Sequence, residues 1–270
     1  MQNPSDLEIV RVRHPLKFRL LHVARVQTLA PALVRVTLTG DDLRDFESAS
    51  FDDHVKVFFP PPGEDKPVLP SAGPDGIVFP EGVARPAARD YTPRRFDRAA
   101  GELDLEFVLH DAGPATAWAA QAQPGQYLGV GGPRGSMVIP DGFDWHLLIG
   151  DETALPAIAR RLEELPDGTR VAVVVEVANR DARIELPTDA DLYAVWCYRD
   201  DADAEAPLLD AVADVWLPPG EGFVWAAGEA SSIRAVRTLL VDRRGVDRKR
   251  IRASAYWRRG AQATHESIDD

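Results

Sequence analysis

Leu33 to Thr39 alternates Val34, Val36 and Leu38 with Arg35, Thr37 and Thr39. A period of two predicts a strand with one face in a core and the other in water. The period recurs from Leu103 to Leu109, where Leu103, Leu105, Phe107 and Leu109 alternate with Asp104, Glu106 and Val108. Phe18 to Leu29, His54 to Phe59, Ala88 to Arg94 and Gln126 to Val130 are short and rich in strand formers, so the first half predicts a small antiparallel barrel. Pro60 to Pro80 holds seven prolines and predicts one long loop. Gly113 to Ala120 opens a short helix ended by Pro124-Gly125, and Gly129 to Gly135 reads as a tight turn carrying Arg134.

From Trp145 the pattern becomes strand, helix, strand. Trp145 to Gly150 and Arg170 to Val177 predict buried strands, and Asp191 to Tyr198, Phe223 to Ala227 and Ile251 to Trp257 predict three more strands. Thr153 is the expected cap of a helix whose Leu155, Ile158, Leu162 and Leu165 form an apolar stripe. Pro207 to Val212 predicts a short helix, and Ser231 to Arg244 a longer one closed by Gly245. The second half is therefore α/β, and parallel strands bind ligands beyond their carboxyl ends. Two such ends stand out: Gly150-Asp151-Glu152-Thr153 and Ala227-Gly228-Glu229.

A chain of 270 residues has room for two cores, and 45% hydrophobic with 27% charged residues excludes wholesale disorder. The 43 acidic against 31 basic residues, a net charge of −12, argue against general affinity for nucleic acid or an anionic membrane. With Cys197 as the single cysteine, an intramolecular disulfide, a thiolate zinc site and a cysteine-held iron–sulfur cluster are excluded. The six histidines show no metal-binding spacing. Redox chemistry would need an organic cofactor. Neither a signal peptide nor a membrane span is legible, so the expected location is the cytoplasm, without stable membrane insertion.

Arg89-Asp90-Tyr91-Thr92 sets an arginine and a tyrosine at alternate positions of an extended segment, hence on one face, with a hydroxyl residue next in line. Such a face can hold a phosphate, lay a ring against a flat ligand and hydrogen-bond its edge, a combination that suits a flavin nucleotide. Eight runs then occur in one order: His54 to Pro60, Arg89 to Thr92, Phe107 to His110, Gly113 to Ala119, Gly132 to Ser136, Gly150 to Pro156, Trp225 to Glu229 and Ala255 to Gly260. In these runs the chain resembles the siderophore-interacting protein family, FAD-dependent ferric-siderophore reductases of the ferredoxin-reductase-like superfamily.

The resemblance implies an N-terminal antiparallel FAD-binding β-barrel over residues 17–140 and a C-terminal α/β domain for NADH or NADPH over 141–270. It implies that Arg89 binds the FAD pyrophosphate, Tyr91 packs on the isoalloxazine, Thr92 hydrogen-bonds near flavin N5, Val108 and His110 line the ribityl chain, and Gly113, Ala115 and Thr116 receive the phosphates. Thr153, Pro156, Gly228 and Glu229 match the nicotinamide-side turns. Arg180 or Arg183 would meet a 2′-phosphate, whereas Glu176 would favour the ribose hydroxyls of NADH. Tyr256 or Trp257 would stand in for an aromatic residue that covers the flavin. Lys56, Arg134, Arg258 and Arg259 would draw an anionic ferric siderophore to the flavin edge, while the basic residues of Arg234 to Arg250 form a solvated face. Two other readings stay open: a flavin reductase exchanging electrons with a ferredoxin-like partner, and a siderophore-binding protein without catalysis.

Overall fold

Two units make up the chain, Ile9–Ile139 and Pro140–Asp270, the second joined by the residues up to Glu8. The computed structural model describes residues 7–73, 76–109, 113–201, 205–260 and 266–268. The first unit contains β1 (Val10–Arg13), β2 (Phe18–Ala30), β3 (Leu33–Thr39), β4 (Val55–Phe58), β5 (Ser71–Gly73), β6 (Gly76–Val78), β7 (Ala88–Tyr91), β8 (Arg95–Asp97), β9 (Glu102–Val108), α1 (Pro114–Ala119), β10 (Tyr127–Gly131) and β11 (Gly135–Val138). Seven strands form one antiparallel sheet in the order β7-β4-β10-β2-β3-β9-β8.

Its two edges, β7 and β8, are consecutive in the chain and joined only by residues 92–94. At about 3.5 Å per residue that link spans roughly 14 Å at most, so the sheet has to roll up to bring its edges together. The Tyr91 ring of β7 accordingly lies 4.4 Å from that of Phe107 on β9. No hydrogen-bonded ladder joins β7 to β8 among the described residues. Leu21, Val36, Leu38, Val55, Val57, Leu103, Leu105, Phe107, Leu128 and Val130 are all fully buried inside the roll. Burying each such side chain is worth about 1.5–3 kcal/mol.

The polar face of β9 departs from the alternation pattern. Asp104 and Glu106 are buried rather than solvated. Thr37 Oγ1 and Arg95 Nε donate to Asp104 at 2.6 and 2.8 Å, and Arg35 Nε donates to Glu106 at 3.0 Å. Carboxylates can be covered in this way only because neighbouring strands supply their donors. The proline-rich stretch is also not loop throughout, since β5 and β6 pair as a small hairpin within it. The glycine-rich run is likewise more ordered than a turn: Gly129 to Gly131 belong to β10 and Gly135 begins β11, leaving residues 132–134 between them.

The second unit contains β12 (Trp145–Asp151), α2 (Leu155–Glu164), β13 (Arg170–Val177), β14 (Asp191–Tyr198), α3 (Pro207–Asp214), β15 (Gly222–Glu229), α4 (Ala230–Thr238), β16 (Ile251–Trp257) and β17 (Glu266–Ser267). Its sheet runs β14-β13-β12-β15-β16-β17, parallel except for β17. The α2 stripe is buried as its period demands. Helix α4 is shorter than the pattern suggested. It gives way at Leu239–Arg243 to a wider π turn before Gly245. Among the described residues no helix is long and apolar enough to cross a membrane, and no group of histidine, cysteine or acidic side chains could hold a metal ion.

Candidate functional site

Strand register sets the first site. Tyr91 lies opposite Val55, Arg89 opposite Val57, and Asp90 opposite Lys56. Opposed residues share a face, so Arg89 and Tyr91 lie on the side of the buried valines, and Asp90 and Lys56 on the other. The Tyr91 ring rests on Phe107 and meets the edge of Phe59 at 6.5 Å. Burial pushes its phenol well above the usual range, only partly opposed by the Arg89 charge, so the ring stays neutral. Arg89 is half-buried, and its guanidinium donates to the Ala88 carbonyl at 2.7 Å. Among the described residues no carboxylate pairs with it. Thr92 follows, buried at 6% exposure.

Helix α1 is anchored to the same aromatic cluster, with Trp118 centred 5.8 Å from Phe107 and 6.0 Å from Phe59. Gly113 precedes it in an extended conformation without a side-chain cap, and Pro114 has no N–H to offer. The N–H groups of Ala115 and Thr116 come before the first helical bond, from Ala117 N to Gly113 O, and have no acceptor within the helix. Val108 closes β9 opposite Leu33. His110 lies outside the described residues. A half-buried cation with no acid partner among the described residues, a neutral flat ring beside it and two helix N–H groups with no acceptor within the helix are a donor set that suits an aromatic cofactor bearing a diphosphate.

Two of the predicted substrate cations are already engaged. Lys56 pairs with Asp90 at 2.7 Å, and Arg258 with Glu266 at 3.4 Å. Arg134 is exposed, and no acid pairs with it among the described residues. Near it, His14 Nε2 stands 2.7 Å from Ser136 Oγ and His14 Nδ1 3.5 Å from Glu47. That order matches a nucleophile, base and acid, but the geometry does not. Ser136 is buried and donates its one hydroxyl proton to Asp53, so His14 donates to Ser136 rather than accepting from it. The cluster ties the turn to the 48–53 loop.

In the second unit the predicted turns meet around a residue not singled out by itself, Asp151. Its Oδ1 accepts from Thr153 N and Oγ1 at 2.9 and 2.5 Å, and its Oδ2 from Glu229 N at 2.9 Å and Trp257 Nε1 at 2.8 Å. Thr153 therefore does not cap α2, because its hydroxyl turns back to Asp151; the cap position is Ala154 and has no side-chain bond. Pro156 is buried in the first turn and shapes the backbone. Gly228, at φ 151°, has no room for a side chain, since a Cβ would stand 2.6 Å from Asp151 Oδ2. Glu229 caps α4 through Ser231 and Ser232 and accepts from Arg259 N at 3.3 Å. Burial alone would raise its pKa, but these hydrogen bonds outweigh it and hold the carboxyl below its ordinary value.

At the carboxyl ends of β13 and β14, Glu176 accepts from Arg199 at 3.3 Å, and Arg199 also binds Glu152. Sequence reasoning missed Arg199, which shows itself only once the two strands lie side by side. Arg180 stacks 4.7 Å over the Tyr198 ring and Arg183 5.3 Å over that of Trp196. Neither pairs with an acid among the described residues.

Comparison with known proteins matches residues 22–137 to the siderophore-interacting FAD-binding domain and residues 143–260 to siderophore-interacting protein. The NADPH-dependent ferric-chelate reductase of Escherichia coli is 38% identical over 92% of this chain and 95% of its own length. Ferric vibriobactin reductase ViuB of Vibrio cholerae is 35% identical over 92% and 93%. A siderophore utilization protein from T. fusca superposes with a TM-score of 0.88 at 42% identity, covering 95% of this chain and 98% of that one. The rolled sheet followed by an α/β unit, and these similarities across almost the whole length, establish that the chain belongs to the siderophore-interacting protein family.

Proposed function

We propose that the protein is an FAD-dependent NADPH:ferric-siderophore oxidoreductase, working in the cytoplasm, that reduces Fe(III) to Fe(II) and so frees iron from its chelator. The observation that carries this reading is Arg89, a half-buried cation in the FAD-binding domain without an acid partner among the described residues. Arg89 and the N–H groups of Ala115 and Thr116 would hold the pyrophosphate. The Tyr91 ring would lie along the isoalloxazine, with Thr92 at its edge and Val108 by the ribityl chain. FAD, when bound, accepts a hydride from the nicotinamide and passes on its electrons singly, as Fe(III) requires. One NADPH thus serves two ferric ions.

The rest of the work is orientation, and no acid–base pair is required of the chain. Fe(II) is held less tightly than Fe(III) by hard oxygen ligands, so reduction itself releases the metal. NADPH is favoured over NADH for two reasons on the second unit. Glu176, which would bind ribose hydroxyls, is occupied by Arg199, whereas Arg180 and Arg183 are stacked in place with their charges open to a 2′-phosphate.

On the substrate side Arg134 takes the leading place, because Lys56 is neutralised by Asp90. Replacing Arg134 by glutamate should slow reoxidation of the reduced protein by an anionic ferric catecholate about three- to tenfold at low salt. The deficit should shrink as salt rises towards physiological strength, where exposed charges are screened over about 8 Å. Stopped-flow flavin absorbance under subsaturating siderophore measures it. An unchanged rate at every ionic strength removes Arg134 from the substrate path.

A further inference from the structure

Asp151 is a buried carboxylate whose two oxygens accept four hydrogen bonds, and the donors come from the ends of three adjacent parallel strands. Thr153 follows β12, Glu229 closes β15 and Trp257 closes β16. These ends form the carboxyl edge of the sheet, where open α/β sheets bind nucleotides. Burial of a carboxylate is costly, and a well-packed apolar group of the same shape would commonly be at least as stable. The donors offset that cost here, while burial still pushes the Asp151 pKa up.

What the arrangement fixes is specific. The Trp257 indole is half-exposed, and its one polar atom is tied 2.8 Å from Asp151, which sets the rotation of the ring. Two residues on, the backbone of Arg259 is tied to Glu229, whose own N–H is held by Asp151. The chain leaving β16 is thus fastened at two points to the Gly228–Glu229 turn. Gly228 admits the Asp151 carboxylate only because it has no side chain.

Resting on the reading of this unit as the nicotinamide nucleotide site, we infer that Asp151 is a positioning residue which presents the Trp257 indole and the Gly228–Glu229 turn as a preformed wall for NADPH. Its action on the reaction passes through Trp257, with no contact of its own to the reacting atoms. A ring locked in one rotamer binds a flat ligand without first losing rotational freedom, so loss of the lock appears in affinity more than in turnover.

The test compares Asp151→Asn, Trp257→Phe and the double variant. Phenylalanine keeps an aromatic ring but cannot donate to Asp151, and asparagine keeps the shape but not the charge that accepts four donors. Each single change should raise the KM for NADPH about tenfold while kcat moves less than threefold. The double variant should be no worse than the poorer single, because both changes act on the one Asp151–Trp257 hydrogen bond, which asparagine weakens and phenylalanine removes. Titration of NADP+ against intrinsic tryptophan fluorescence, without turnover, should give the same order of affinities. Should Asp151→Asn fail to fold, Trp257→Phe alone decides, since Asp151 keeps its other three donors. A lowered melting temperature with unchanged KM and NADP+ affinity, or effects that multiply in the double variant, overturns the inference. A wild type that binds no NADP+ overturns the reading of the site as well, whereas equal binding by wild type and variants overturns the inference alone.

Discussion

Replacing Arg89 by alanine is expected to give a folded protein that loses its FAD on dilution, with the dissociation constant raised about 10- to 150-fold. The fold should survive because Arg89 sits on the edge strand β7 and, among the described residues, its guanidinium bonds only its neighbour Ala88. A cofactor phosphate would lose a charge-assisted donor in a partly desolvated place, worth about 1.5–3 kcal/mol. Lysine at the same position keeps the charge without the paired donors and should fall between. Gel filtration followed by the absorbance ratio of flavin to protein reads the outcome. Full retention of the yellow colour by Arg89→Ala would remove Arg89 from the cofactor site.

The second large effect lies in acid stability. His146 on β12 is buried against Phe143 and Phe223, and burial, helped by the nearby Arg161 charge, pushes its pKa from 6.5 down to about 3; the Asp141 backbone pulls slightly the other way. An unfolded chain binds a proton at this ring below pH 6.5, and the folded one does so only below about 3. The stability His146 gives by staying neutral is therefore complete above pH 6.5 and is lost as pH falls through that window, at about 1.4 kcal/mol per pH unit. Between pH 7.5 and 4.5 the second unit should lose ~3 kcal/mol through this residue. His146→Phe, which keeps the aromatic packing, should be spared that part of the loss. Five of the six tryptophans lie in this unit, so fluorescence-detected urea unfolding at the two pH values follows it. The difference is taken within each protein, so any packing change cancels. Equal losses in wild type and His146→Phe would refute the assignment.

Much of the fold was legible because its signals are local. β3, β13, β14 and β16 begin and end where period and composition place them, and α2 buries the stripe that its spacing describes. Reading failed where the answer depends on what lies opposite. Asp104 and Glu106 looked solvated, and only the register of β3, β8 and β9 brings Thr37, Arg95 and Arg35 to cover them. Lys56 reads as a free cation at the substrate opening with Arg134, and only the pairing of β4 with β7 sets Asp90 opposite it as an ion-pair partner. Thr153 resembles a helix cap, yet the buried Asp151 two residues earlier is a stronger acceptor for its hydroxyl.

The candidate site shows the same division. Arg89, Tyr91 and Thr92 could be named from four consecutive letters, because alternation along a strand is a short-range property. Their support could not. Phe59, Phe107 and Trp118 come from three separate segments and meet only when the sheet rolls, and they set both the Tyr91 ring and helix α1. Arg199 was overlooked for the same reason, since its partners Glu152 and Glu176 lie 47 and 23 positions away.

Bound FAD should carry electrons from NADPH to ferric iron. The most direct measurement follows the flavin band of the purified, FAD-loaded protein without oxygen, first on addition of NADPH and then of a ferric catecholate siderophore with an Fe(II) chelator present. Bleaching by NADPH is expected at lower concentrations than by NADH, then return of the yellow band with two Fe(II) trapped for each NADPH consumed. A protein that does not retain FAD, or one bleached by NADPH whose colour returns with oxidised ferredoxin and not with the ferric siderophore, would contradict it.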